Sequence, residues 1–455
     1  MPPIGFDEAL RTILSNIQPL PAEDVALARA LGRIAASKVI ADEDAVPFPR
    51  AAMDGYAVRA SDCARATQDD PIDFPVTGQV FAEQGESSLT PGTALGITTG
   101  APVPCGADSV IPYERTERRT ERPTERPTER HRPTVRIFAP VAPGDFVFPP
   151  GQDLHRGDEL VAVGEALSPG KLALLAFAGK PLASVFRCPR VAIVCTGTEL
   201  VDVAATPSRG QVRNSNAIAL SALVSAAGGE PRFAGVAPDD RASLAEMLER
   251  ARRDADILIT TGGASVGERD LVKSVLTELR AEFRFRDVAM RPGRPFGFAE
   301  WDGTPVCVLP GNPAAAFMCF HKLVQPALWR LSGRCETQLP KLRARLDGEL
   351  HTRPDRRYFV FARLRSEPEG FFVKPLANQC SALVRTAAFA NTIVTVGETA
   401  SGSIDGLRQD EMVDVEVFDW PSVFESSTLL PELGGSGKNS ARIGLLARKA
   451  GSDSV

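Results

Sequence analysis

The sequence predicts a multidomain α/β protein. It combines a doubly wound, mostly parallel sheet domain with an inserted small β domain, an N-terminal helical and extended domain, and a C-terminal β-barrel-like domain. Three observations carry this expectation. Between residues 190 and 331 short apolar runs alternate with helical segments, the βαβα order that builds a parallel sheet with helices on both faces. Residues 71–150 and 338–420 instead carry short β-rich runs punctuated by Gly and Pro. A chain of 455 residues is also long enough for roughly three domains or more.

Taken in order, residues 5–38 read as helix, in two pieces (FDEALRTILSNI and PAEDVALARALGRI) separated by Pro19-Leu20-Pro21. FPVTGQVF, TALGITTG and DSVIPY follow as strands. T-E-R recurs at 116, 120, 124 and 128, and such a repeat of charge and proline cannot bury a core. It reads as a solvated, expanded loop in a hairpin. SPGKLALLAFAGKPLA returns to a helical pattern and is expected to pack with the N-terminal helices, which makes the first domain discontinuous. The expected division is 1–55 with 145–186, then 56–144, 187–333, 334–420, and a poorly ordered tail over 421–455.

Within the third unit, RVAIVC, PRFAGVA, DILITTGG and PVCVLP read as buried strands. The helices between them begin at NSNAIAL, with Asn214 as cap and Gly228 or Gly229 as stop, at DDRASLA and at RDLVKSV. NPAAAFMCFHKLVQPALWRL reads as one long helix with Asn312 as cap and Pro313 at its first position. KLRARLDGEL, RYFVFARL, FFVKPL, NTIVTV and MVDVEVF complete the chain as strands of a small barrel or sandwich.

Composition narrows the function. A net charge of −5 argues against a basic nucleic-acid face. No apolar run reaches the ~18 residues of a membrane span, and the start carries no basic segment before an apolar one. Eight scattered cysteines without a CxxC pair suit a reducing, cytoplasmic compartment, and four distant histidines argue against a zinc site.

In an open parallel sheet, ligands bind beyond the carboxyl ends of the strands. The residues expected there are Thr196-Gly197-Thr198-Glu199, Asp239-Asp240, Thr261-Gly262-Gly263-Ala264-Ser265 and Pro310-Gly311-Asn312-Pro313. TTGGASVGERD has the make-up of an anion cradle, with Ser265, Gly267 and Asp270 following the glycines. Neither GxGxxG nor a P-loop is present. Arg291 and Arg294, three apart around Pro-Gly, offer planar forks for oxyanions. The acids Glu199, Asp239 and Asp270 would repel a polyanion unless Mg²⁺ lay between them. Met53-Asp54-Gly55 and Thr99-Gly100 read locally as turns.

Six segments in order, MDGYA, TTGAPVP-GAD, TGTEL, TTGGASVGERD, RPGRPFGF and LPGNPAAA, resemble the molybdopterin molybdenumtransferases, the MoeA and gephyrin E-domain family, over roughly residues 5–420. The resemblance implies an enzyme that takes adenylylated molybdopterin and molybdate as substrates, uses Mg²⁺, and releases AMP in molybdenum cofactor biosynthesis. It also implies a homodimer, with the molybdopterin adenylyltransferase as a partner. By that resemblance Asp54 and Thr99 contribute in trans. Glu199, Asp239 and Asp270 are acidic catalytic residues and metal ligands, and Arg291 and Arg294 bind oxyanions. Thr261, Gly262, Gly263, Ser265 and Pro310 to Pro313 bind substrate, together with Asp153, Ser381 and Arg356. This chain departs from the family where Phe146-Val147-Phe148 replaces Asn-Ile-Arg, at Cys380-Ser381-Ala382, and at Thr198. Two other readings stay open: a non-catalytic scaffold of the same fold that binds a partner protein, and a nucleotide-processing enzyme sharing only the third domain.

Overall fold

A computed structural model describes residues 2–83, 85–119, 133–263, 271–351, 356–399, 402–404 and 406–424. The helix Phe6–Ser15 places Phe6, Ala9 and Ile13 on one buried face and Asp7 and Glu8 in its first turn. That face joins the core of the α/β unit, with Ile193, Ile259, Val288 and Phe296, rather than its sequence neighbours. Arg357 clamps Asp7 in bidentate fashion at 2.5 and 2.9 Å.

The second expected helix, over 21–38, is not formed. Ala22–Ala26 is a strand, followed by the single turn Leu27–Arg29. The strand pairs antiparallel with Leu182–Phe186, and Arg33 reaches the Phe186 carbonyl at 2.8 Å and Glu23 at 2.5 Å. A partner about 160 residues away overrides a modest local propensity. The helix Pro169–Phe177, capped by Ser168, packs with the 22–41 segment through Ala30, Ala35, Leu167 and Leu175.

Six strands of the inserted region form one sheet in the order Ser109–Pro112, Gly55–Val58, Ala94–Ile97, Ile72–Val80, Thr134–Ile137, Thr116–Arg119. The first T-E-R unit therefore lies in a strand and not in the loop. Pairing of Thr116 with Ile137 and of Arg119 with Thr134 recruits it. The later units fall in 120–132, outside the described residues.

The α/β unit has six strands in the order Glu230–Ala237, Arg190–Thr196, Ile257–Thr261, Thr304–Leu309, Gly297–Trp301, Glu282–Phe285. The first four are parallel, and Gly297–Trp301 runs antiparallel to both of its neighbours. Val191 and Ile193 face one core and Ala192 and Val194 the other, so the strands are apolar on both faces. Asn214 accepts the Ala217 N–H and Asp240 the Ser243 N–H, which fixes the starts of Ser215–Ala226 and Arg241–Arg252.

The long helix after Asn312 runs unbroken from 313 to 331 and carries a π-helical turn, Phe320–Val324, between Pro313–Cys319 and Gln325–Leu331. Pro326 has no N–H and would clash with the carbonyl four residues back, so the ladder widens just before it. Asn312 sits at the cap position, yet its side chain makes no cap bond.

In the C-terminal region, Arg357–Glu367, Gly370–Pro375, Lys341–Leu346, Met412–Val417 and Thr392–Thr399 pair in that order. Thr392–Thr399 then returns to Arg357–Glu367, closing a five-strand barrel. Residues 421–424, expected within a poorly ordered tail, form a turn with Ser422 and Val423 buried; 425–455 lie outside the described residues.

Candidate functional site

The carboxyl ends of the parallel strands form one rim. Thr261 ends its strand buried; its hydroxyl donates to the Pro310 carbonyl at 3.0 Å and accepts the Asn216 amide at 3.0 Å. The same amide donates to the Gly311 carbonyl at 2.9 Å. Asn216, in the first turn of its helix, thus ties two rim loops together. The sequence marks only Asn214, as the helix cap; for Asn216 the pattern Asn214-Ser215-Asn216 at a helix start on the rim was the available signal.

The glycines are required by space. Gly262 has φ +96°, and a Cβ there would lie 2.2 Å from the Thr196 carbonyl oxygen. Gly263 has φ +58° and would meet the Thr196 hydroxyl at 2.9 Å. Backbone of one loop therefore lies directly on the end of the neighbouring strand. The Thr196 hydroxyl beneath them is buried without a hydrogen-bond partner. Gly311 approaches Gly262 less closely, its notional Cβ 3.2 Å from that Cα.

Glu199 folds its carboxylate back over Gly197. Asp239 accepts the Thr198 N–H at 3.2 Å and its hydroxyl at 3.0 Å through one oxygen. Asp239 therefore organises the Glu199 turn, while Asp240 is the helix cap. Neither the Glu199 carboxylate nor the second Asp239 carboxylate oxygen is bonded among the described residues. Ser265 and Asp270 lie outside those residues, and no group of three His, Cys, Asp or Glu gathers among the described ones.

The strand before Arg291 does not belong to the α/β sheet. Met290–Arg291 pairs with Arg357–Tyr358 of the barrel. The next strand is antiparallel, with Gly297 opposite Val308, so its beginning stands beside the carboxyl end of the 304–309 strand. That topology brings Arg294 to the rim from the far side. Both arginines are exposed and unpaired among the described residues. The Cys319 thiol donates to the Gly293 carbonyl at 3.7 Å, bracing the turn from below. Burial pushes that thiol well above its usual range, and likewise the Cys307 thiol to about 12. Arg356 immediately precedes the barrel residues paired with Met290 and Arg291.

Ser381 reaches the rim as well. Its hydroxyl accepts the Asn312 amide at 3.2 Å, and its carbonyl accepts the Ala314 N–H at 3.0 Å. The rim thus gathers Glu199, Asp239, Thr261, Gly262, Gly263, Pro310, Gly311, Asn312, Pro313, Arg294 and Ser381.

Asp54 and Thr99 meet elsewhere. One Asp54 oxygen accepts the Thr99 N–H at 2.6 Å and its hydroxyl at 2.8 Å. These two bonds, the N–H first, hold the Asp54 carboxyl below its ordinary range. The pair belongs to the inserted sheet, and no strand pairing among the described residues joins that sheet to the rim. Asp153 lies exposed on a loop beyond Val147–Phe148, away from the rim strands.

A doubly wound domain with a glycine-lined rim, placed along the chain between an inserted β sheet and a closed barrel, defines a modular α/β protein. Three family models match in series. They are the MoeA N-terminal region (domain I and II) over 4–179, the probable molybdopterin binding domain over 192–330, and the MoeA C-terminal region (domain IV) over 343–418. The molybdopterin molybdenumtransferase of Nostoc sp. is 35% identical over 347 residues, 75% of this chain and 77% of its own. That of Staphylococcus aureus is 31% identical over 414 residues, 91% of this chain and 95% of its own. The crystal structure of a molybdopterin biosynthesis MoeA protein from Pyrococcus horikoshii superposes with a TM-score of 0.76 at 34% identity, covering 91% of this chain and 99% of that one. The chain belongs to the molybdopterin molybdenumtransferase family, transferases of molybdenum cofactor biosynthesis.

Proposed function

We propose that this chain inserts molybdate into adenylylated molybdopterin and releases AMP. The observation that carries the reading is convergence: two glycine turns, Asn312, Ser381 and Arg294 meet at one rim although they come from four distant stretches of sequence. Hydrolysis of the phosphoanhydride consumes one water and yields AMP and molybdopterin with its own phosphate; the two dithiolene sulfurs then replace two oxygens of molybdate, which leave with the thiol protons as water. Bringing molybdate beside two phosphates concentrates negative charge. Exposed Arg291 and Arg294 would offset it, and the close-packed Gly262 and Gly311 would admit the substrate to backbone N–H groups.

Mg²⁺ belongs to this reading. The free oxygens of Glu199 and Asp239 are hard donors on the same rim and fit it, with Asp270 as a further ligand. When bound, the ion would neutralise phosphate charge. Homodimerisation is part of this reading: Asp54 and Thr99, carried on the inserted sheet, would serve the rim of a second copy. Arg356 and Asp153 would contribute to substrate binding beside the arginine turn and beside Asp54. The molybdopterin adenylyltransferase would supply the substrate, in a reducing cytoplasm that suits eight unpaired cysteines. Among the described residues no helix is long and apolar enough to cross a membrane.

The test is AMP release from adenylylated molybdopterin, with and without molybdate, coupled to reconstitution of a molybdenum-free apoenzyme. Molybdate-dependent AMP release with reconstitution is expected. A purified, folded chain that gives neither would overturn the proposal and leave the scaffold reading standing.

A further inference from the structure

Two arginines beside Asp54 are held by aromatic rings instead of carboxylates. The Arg50 guanidinium lies 5.4 Å from the centre of the Phe148 ring, and that of Arg115 lies 5.0 Å from Phe146. Most arginines with a defined role in the fold are neutralised: Arg136 by Asp73, Arg187 by Asp256, Arg357 by Asp7. The Arg50 and Arg115 side chains have no hydrogen bond or ion pair among the described residues, and adjacent Glu114 makes none with Arg115.

Backbone bonds bind the arginines, the rings and Asp54 into one patch. Arg50 pairs with Phe148 across two short strands. Ala52 N–H donates to the Phe146 carbonyl at 2.8 Å, and Tyr113 N–H donates to the Asp54 carbonyl at 3.2 Å. Gly100, next to Thr99, donates to Ala51 at 2.8 Å. Phe146 adopts φ +54°, a conformation that costs a bulky residue energy and is sustained only where the surroundings demand it. Here it sets the ring under Arg115.

A ring face orients a guanidinium without cancelling its charge, and it leaves the in-plane N–H fork open to an oxyanion. We infer that Arg50 and Arg115 are oxyanion-binding residues, gripping the tetrahedral oxygens of phosphate or molybdate from the Asp54 face. The inference rests on the molybdenum-insertion reading above. It adds two cations to a face that would otherwise offer only the Asp54 carboxylate and the Thr99 hydroxyl.

The experiment uses the full-length chain and the variants Arg50→Gln, Arg115→Gln and Arg50→Lys. AMP release is followed while molybdate and adenylylated molybdopterin are varied separately, and equilibrium binding of inorganic molybdate and of AMP is measured alongside. Each Gln variant should raise one KM about tenfold or more, with kcat within threefold and the melting temperature unchanged. The KM that moves tells which oxyanion is gripped. Arg50→Lys should recover part of the loss, since charge returns without the planar fork. Unchanged KM values and binding in both Gln variants would overturn the inference. So would a fall in kcat that tracks a lowered melting temperature. A wild-type chain that releases no AMP would instead overturn the insertion reading, and the molybdate and AMP binding arms would still decide the role of the arginines.

Discussion

Asn312 and Ser381 are 69 residues apart, yet the amide of one donates to the hydroxyl of the other at 3.2 Å. This bond, reinforced by Ala314 N–H on the Ser381 carbonyl, joins the α/β rim to the barrel. Asn312 gives up its expected capping role to make it. A net hydrogen bond of about 1 kcal/mol corresponds to roughly a five- to tenfold effect. Asn312→Ala and Ser381→Ala should each lower kcat/KM for AMP release by about that factor. The double variant should be no worse than either single change, because both remove one interaction. Steady-state kinetics on the three variants checks this; fully additive losses would mean the two side chains act separately.

The two rim glycines differ in what they tolerate. Gly262→Ala would drive a Cβ to 2.2 Å from the Thr196 carbonyl at φ +96°. Gly311→Ala meets only a Cα at 3.2 Å and needs no left-handed backbone. Urea unfolding should show Gly262→Ala costing about 2–4 kcal/mol and Gly311→Ala about 1 kcal/mol or less. Equal losses at the two positions would refute the close-packing account of the rim.

Lys322, in the π turn, and Glu416, in the barrel, form a buried ion pair, with the ammonium 4.7 Å from the Phe359 ring centre. Burial pulls the Lys322 pKa down and the Glu416 charge opposes that pull. Glu416→Gln should destabilise the protein by about 3–5 kcal/mol, because it strands a buried cation. Lys322→Met combined with Glu416→Leu should recover most of that loss. Chemical denaturation of single and double variants decides; a double variant as weak as the single one would show that shape, not charge, governs this contact.

The α/β unit was legible because its strands are buried on both faces and so read as unbroken apolar runs, as in RVAIVC and DILITT. Where structure depends on distant partners, the sequence misled. Residues 22–26 look helical and become a strand only by meeting 182–186. Arg291 ends a strand of the wrong sheet, and only the antiparallel course of the next strand returns Arg294 to the rim. Asn216 had only its place at a helix start to mark it, because its role lies in a hydroxyl and a carbonyl partner, 45 and 95 residues away. Glycines at Gly262 and Gly311 were recognisable, but the reason for them, contact between two loops, was not.

His321 gives the protein an acid sensitivity. It is 6% exposed, stacked on Phe418 with ring centres 4.6 Å apart, and its Nδ1 lies 2.7 Å from Gln325 Oε1. Burial pushes its pKa down from 6.5 to about 4. Between those values the unfolded chain binds a proton that the folded chain refuses, so stability must fall as pH drops through 6.5 toward 4. A gap of this size corresponds to roughly 3 kcal/mol, nearly all of it lost by the time pH reaches 4. His321→Phe preserves the aromatic packing among Phe317, Phe320 and Phe418 and removes the proton site. Denaturant unfolding at pH 7 and pH 4.5 should therefore show wild type losing roughly 2–3 kcal/mol more than the variant. Parallel pH profiles for the two proteins would mean that the imidazole takes up its proton as readily in the folded state as in the unfolded chain, and that its burial is balanced by a contact other than the Gln325 bond.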